Sequence, residues 1–177
     1  MRIVLVLAAV IMFSAFYSDS KSFPQTEKHA IGEEFGGGVV FYVDSTGEHG
    51  LIAATSDQKK AKWYNGKFIE TGAKGTAVGT GKQNTAAIVK AQATGEYAAS
   101  ICDGLVLNGF DDWYLPSKDE LRLLKEKKGI VGGFNGIFYW SSTEESSHYA
   151  WAQNFNNGLQ NYGNKNSAPS VRAIRAF

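Results

Sequence analysis

Two pairs of adjacent carboxylates, Asp111-Asp112 and Glu144-Glu145, are the residues of this 177-residue chain best suited to chemistry. A glycosidase works with two carboxyl groups, one protonating the leaving oxygen and the other acting as nucleophile or base. Asp111 or Glu144 would carry such a hydrolase. A structural account competes, because Asp111 and Asp112 follow Gly109 in a turn, where Asp side chains bond local backbone amides. The same four side chains offer the oxygen ligands that calcium prefers. Other chemistries fail on residue type. His29, His49 and His148 lie far apart in polar, turn-like surroundings, no Gly-x-Ser-x-Gly elbow occurs, and the one thiol is Cys102. Neither a Ser-His-Asp hydrolase nor a zinc site is encoded by that pattern. In Gly75-Thr76-Ala77-Val78-Gly79-Thr80-Gly81-Lys82-Gln83, a phosphate-binding loop would need Gly in place of Thr76 and Ser or Thr in place of Gln83. A dinucleotide loop would need Gly in place of Asn84. No cofactor and no metal is expected.

The elements that must position these residues are those of one domain. Hydrophobic residues make up 44% of the chain, charged residues 20% and aromatics 13%, with 20 glycines, which favours a loop-rich α+β fold. A net charge of +1 gives no electrostatic case for nucleic acid. The lysine groups at 59, 60, 62 and 67 and at 125, 127 and 128 read as solvated faces. Val39–Val43 is strongly β-prone, Asp44–Gly50 is turn chemistry, and Leu51–Ala54 reads as the partner strand of a hairpin. Trp63 and Tyr64 are the inward anchors of a polar, Gly-rich stretch. A helix is expected from Asn84 or Thr85 through Ala91, with Tyr97–Cys102 resuming helical spacing after Gly95. A second helix starts at Ser117, where Ser-x-x-Glu with Glu120 forms a capping box, and ends near Gly129. Cys102, alone and in an apolar helical pattern, reads as a small packing residue. Apolar strands at both ends of the domain, Val39–Val43 and Val171–Phe177, are expected to pair.

In the last third, large aromatics alternate with small hydrogen-bonding residues. Trp113, Trp140 and Trp151 read as core anchors, together with Phe155. The polar positions around them read as ligand-facing: Glu144, Ser146, Ser147, His148, Tyr149, Asn154, Asn156, Gln160, Asn161, Tyr162 and Asn164. Loops of Tyr, Asn and Ser on a rigid frame suit recognition, because they offer adaptable hydrogen bonds at low entropic cost. The expected function is a binding or adhesion module for a glycan or protein. The alternatives are the hydrolase above and a structural subunit of a surface assembly. Self-association into a homo-oligomer stays open.

The strings Trp113-Tyr114-Leu115-Pro116-Ser117, Tyr139-Trp140-Ser141-Ser142-Thr143-Glu144 and Val171-Arg172-Ala173-Ile174-Arg175-Ala176-Phe177 occur together and in order. Over Gly37–Phe177 the chain resembles the Lcl C-terminal-like domain, found at the ends of bacterial collagen-like adhesins and in secreted bacterial proteins. That family is similar to the C-type-lectin-like fold of formylglycine-generating enzymes and of retroelement variable proteins. The resemblance implies a single C-type-lectin-like α+β domain: two helices, a loop-rich twisted antiparallel sheet, and first and last strands side by side. It also implies adhesion to host or matrix polymers, sulfated glycans among them. Lys165 and Arg172 are the cations near the proposed loops that such ligands would need. The Glu-Pro-Asn, Gln-Pro-Asp and Trp-Asn-Asp strings of calcium-dependent sugar-binding lectins are absent, and Trp63-Tyr64-Asn65 departs from them. Formylglycine generation needs a cysteine pair, and this chain has one cysteine.

The N-terminus reads as an export signal: Arg2, an apolar run from Ile3 to Phe16, then Ser18-Asp19-Ser20 as a small-x-small cleavage site. The run is short for a membrane span. Residues 1–20 are the expected signal peptide, 21–35 a leader and 36–177 the domain, which places the protein outside the cell, secreted or on the surface. Mass spectrometry of the protein from its host should find an N-terminus trimmed before Phe23. An intact Met1 or Arg2 on the abundant form would contradict export.

Overall fold

Gly36 and Gly37 turn the chain, at φ 56° and 87°, into the β-prone run that opens the first sheet. The computed structural model describes residues 27–177, so the expected signal peptide lies outside the described residues. Strand β1 (Glu34–Phe35), two residues expected in the leader, pairs antiparallel with β2 (Gly38–Val43). The expected hairpin joins β2 to β3 (Gly50–Ala53) around a turn in which the Asp44 carboxylate accepts from the amides of Thr46 and Gly47. Any side chain at Gly38 would run into the Ala53 carbonyl, which is why glycine stands there.

The C-terminal strand completes this sheet, so both ends of the domain share it. Its neighbour is β3 rather than β2: Leu51 pairs with Ala176, Ile52 with Arg175 and Ala53 with Ile174. The expected contact between Val39–Val43 and the C-terminus is therefore indirect. Val171 lies in another strand, β8 (Ser170–Val171), and only the following strand, β9 (Ile174–Ala176), enters the first sheet.

The second sheet has the order β4-β8-β5-β6-β7. It contains β4 (Lys59–Lys60), β5 (Phe138–Glu144), β6 (Tyr149–Asn154) and β7 (Gln160–Asn164) besides β8. The β5–β8 pairing is parallel and the others antiparallel, so the sheet is mixed, not purely antiparallel.

Four helices lie among the described residues. Helix α1 (Gly81–Gln92) begins at Gly81, before the expected caps, because Asn84 and Thr85 turn their side chains inward. Asn84 bridges the backbone of Gly75 in both directions, and the Thr85 hydroxyl meets Gly81 and Leu115. Helix α2 (Ala98–Asp103) carries Cys102, fully buried, and burial pushes its thiol up out of the reactive range. Helix α3 (Lys118–Glu126) has the expected capping box, with Glu120 accepting from the Ser117 amide at 2.7 Å. Gly129 does not end it. A short helix α4 (Lys128–Val131) follows directly, and it is this helix that ends at Gly132, φ 70°.

Trp63, Trp113 and Trp140 are fully buried, as is Phe155. Two indoles bond reciprocally between segments: Trp63 Nε1 donates to Ser141 O and Trp140 Nε1 to Ala61 O, both at 2.9 Å. Trp151 is only half-buried, contrary to its expected core role. Trp140→Ala or Trp113→Ala should lower stability by about 3–5 kcal/mol. Trp151→Ala should cost clearly less, about 1–2 kcal/mol. Urea denaturation of the three variants checks the order.

Candidate functional site

Strand β5 departs from a plain ladder where its sequence turns small and polar. Trp140 pairs with Ala152 but Glu144 with Ala150, so β5 spends four residues where β6 spends two. The extra residues form a bulge, and their polar groups find partners off the strand. Ser142 N donates to Pro116 O and Glu144 N to Ala73 O, each at 2.7 Å. Thr143 Oγ1 donates to Gly75 O, also at 2.7 Å. Ser141, Ser142, Thr143 and Glu144 are all buried as a result.

Glu144, expected to face ligand, thus faces inward. Its carboxylate binds the Lys165 ammonium at 2.6 Å and accepts from the amides of Thr71 and Gly72. Lys165 is equally buried, with its ammonium 4.4 Å from the centre of the Trp63 ring. Arg172 is also interior, bonding Asp57 and the carbonyls of Ala54, Gly132 and Gly133. The two cations expected beside the loops are therefore structural and unavailable to a sulfated ligand. Asp112 is held by two bonds from Arg175, at 2.6 and 3.1 Å, and Asp111 is exposed in its turn.

The remaining expected positions divide by strand geometry. Antiparallel partners share a face, and Tyr149 pairs with Asn164, Trp151 with Tyr162 and Gln153 with Gln160. Helix α3 covers the Gln153 end of this face and begins at Lys118, whose ammonium sits 3.4 Å from the Trp151 ring centre. Beyond it the face is open. Tyr149 is 40% exposed and Tyr162 51%, and their rings meet edge-on at 5.5 Å, with Trp151 and Tyr162 likewise at 5.9 Å. This aromatic strip carries Tyr149, Tyr162 and Asn164. Gln160 lies at its covered end, donating to Lys118 O at 2.7 Å and to Gln153 at 2.9 Å.

The hairpin tip forms a second group. Ser146 and Ser147 are half-buried, and the Ser147 hydroxyl is 2.9 Å from His148 Nδ1. His148 is exposed and stacks on Phe68 at 4.5 Å, which stacks in turn on Tyr64 at 4.6 Å. Asn154 is occupied locally, its side chain accepting from the amides of Asn156 and Asn157 to shape the β6–β7 turn. Asn156 is exposed in that turn, away from the strip. Asn161 pairs with Ala152 and lies on the opposite face of the sheet.

Trp151, Lys118 and Phe68 are the surface residues that sequence reading missed. The period-two alternation Tyr149-x-Trp151-x-Gln153 was the available signal for Trp151, since it puts the indole on the same face as an exposed tyrosine. Among the described residues no group of three or more His, Cys, Asp and Glu side chains could hold a metal ion, and no helix is long and apolar enough to cross a membrane.

Burial alone would raise the Glu144 carboxyl, but the Lys165 hydrogen bond and the Thr71 amide outweigh it and hold the group below its ordinary 4.5. The unfolded chain therefore takes up this proton more readily than the folded one. The stabilisation is complete above pH 4.5 and is lost as pH falls through the depressed folded value. Glu144→Gln should cost about 3–5 kcal/mol at neutral pH, since Lys165 is left charged and unpaired. Urea denaturation across a pH series should show that gap closing below the ordinary carboxylate range.

Residues 56–175 match the family model described as the Lcl C-terminal domain. No curated protein matches the chain.

Proposed function

Because the chain belongs to the Lcl C-terminal domain family, we propose that it is an extracellular adhesin-like module holding a glycan against the strip of Tyr149, Trp151 and Tyr162. The observation that carries this reading is the pair of tyrosines left 40% and 51% exposed on a hydrogen-bonded sheet, beside a half-buried Trp151. Exposed aromatic rings on a fixed backbone offer contact area at small entropic cost, and the apolar face of a sugar ring fits such a surface. Asn164 and the hairpin-tip residues Ser146, Ser147 and His148 supply hydrogen-bonding groups at the margin. Lys118 gives the strip one cation, in place of the two that are buried.

A non-catalytic role is supported by the carboxylates. Glu144 is committed to Lys165 and Asp112 to Arg175, which leaves neither pair poised for acid and base work. The shallow form of the strip also suits holding a polymer better than enclosing a reacting bond.

The test is an array of glycans and matrix proteins probed with residues 27–177 and with a Tyr149→Ala/Tyr162→Ala variant. Exposed substitutions of this kind shift stability by about 0.5 kcal/mol or less. The variant should melt within a few degrees of the parent and lose the glycan signal. A retained signal, an early melt or a signal confined to matrix proteins would each overturn the assignment.

A further inference from the structure

The opposite face of the same sheet carries a second, chemically different surface. Tyr149, Trp151 and Tyr162 point one way, so the alternate residues of β6 and β7 point the other. There Trp140 and Ala152 pair across β5 and β6, and Gly163 lies beside them on β7. Beside β4 and β8 this stretch opens into a cleft of about 560 Å³. Its lining runs from Lys60 on β4, past Ser170 on β8, to Phe138, Trp140, Ala152 and Gly163.

Three features define what this cleft would hold. The volume lies within the roughly 300–1,000 Å³ range of small-molecule sites. The accessible wall is apolar and aromatic: Ile137 and Phe138 stand 54% and 50% exposed at the rim and Tyr162 reaches its edge, above a fully buried Trp140. The floor is also kept low by Ala152 and Gly163, because a Cβ at Gly163 would press on the Trp140 ring at 3.1 Å. Among the described residues lining the cleft, Lys60 carries the only charge, and no acid accompanies it. An apolar aromatic slot with a single ammonium at its edge complements a flat ring bearing one anionic group.

We propose that this cleft is a binding site for a small aromatic acid, with the ring against Phe138 and the carboxylate toward Lys60. The site borders the glycan strip at Tyr162, which also lines the cleft, while Tyr149 and Trp151 lie outside it. It explains why Ile137, just before β5, and Phe138, its first residue, remain 54% and 50% exposed while the rest of the strand is buried.

The probe is indole-3-acetate, titrated into residues 27–177 and followed by amide NMR and by Trp fluorescence. Saturable shifts should concentrate at Phe138, Ala152, Gly163 and Ser170 and spare Tyr149 and Trp151. Lys60→Gln should weaken the acid about three- to fivefold, the scale of one exposed ion pair, and leave the neutral indole-3-acetamide unchanged. Ala152→Leu, which fills the floor, should abolish binding of both. Ala168→Trp at the exposed rim, which does not touch the core, should do the same should the Leu variant fail to fold. Absence of saturable shifts, equal effects of Lys60→Gln on acid and amide, or survival of binding in the filled variants would overturn the proposal. So would sedimentation showing the cleft buried between two copies of the chain. A Tyr149→Ala variant, altered outside the cleft, should bind the probe normally, so failure of the glycan reading would leave this one standing.

Discussion

The buried bond between Glu144 and Lys165 is the constraint on which the display of the aromatic strip rests. Glu144 ends β5 and Lys165 follows the end of β7, while the Thr71 and Gly72 amides that complete the carboxylate belong to the long loop before α1. Three segments distant in sequence are thus fixed at one point. Taking both charges out of water is costly, and the attraction between them offsets that only when the remaining bonding positions are filled. They are filled here: the ammonium also donates to Ile69 O and lies over Trp63. The hairpin of β6 and β7 hangs from this point, and with it the aromatic strip.

Packing around that bond is directional. The reciprocal indole bonds of Trp63 and Trp140 stitch the 61–63 segment to β5, so two large apolar bodies also satisfy two backbone carbonyls. At the other end, Arg172 gathers Asp57 and the carbonyls of Ala54, Gly132 and Gly133, and Asp57 also accepts from the Tyr139 hydroxyl. Long irregular segments therefore behave as framework, because their carbonyls are bonded by buried cations and indoles in place of a ladder. Such a frame can leave one sheet face open without losing its shape.

How much of this was legible in the sequence depended on whether the signal was local. The hairpin of β2 and β3, the Ser117–Glu120 capping box and the inward anchors Trp63, Trp113 and Trp140 followed from neighbours within a few residues. The pairing of β9 with β3 did not, since apolar β-prone strands specify that they pair and not with which partner. Glu144 looked like an exposed carboxylate because nothing adjacent announces a partner twenty-one residues away, in a strand displaced by a bulge. Trp151 failed for the opposite reason: its size argued for the core, while its burial was decided by where α3 happens to begin. Lys118 joins the strip only through that same helix terminus.

Strand β7 bears the exposed Tyr162 and also forms a sheet edge, which exposes it to unwanted strand pairing. The ladder bonds Asn154 N to Leu159 O and Lys165 N to His148 O fix which residues face β6. By alternation, Gln160, Tyr162 and Asn164 turn their backbone groups outward. The Asn161 side chain folds back to accept from the Tyr162 amide at 2.8 Å, and Asn164 accepts from Asn166 N at 2.9 Å. The outward donor beside the most exposed tyrosine is thereby occupied by its own neighbour. Asparagines that read as ligand contacts in sequence serve here to blunt an edge. The tyrosine rings themselves stand on the face and not along the edge.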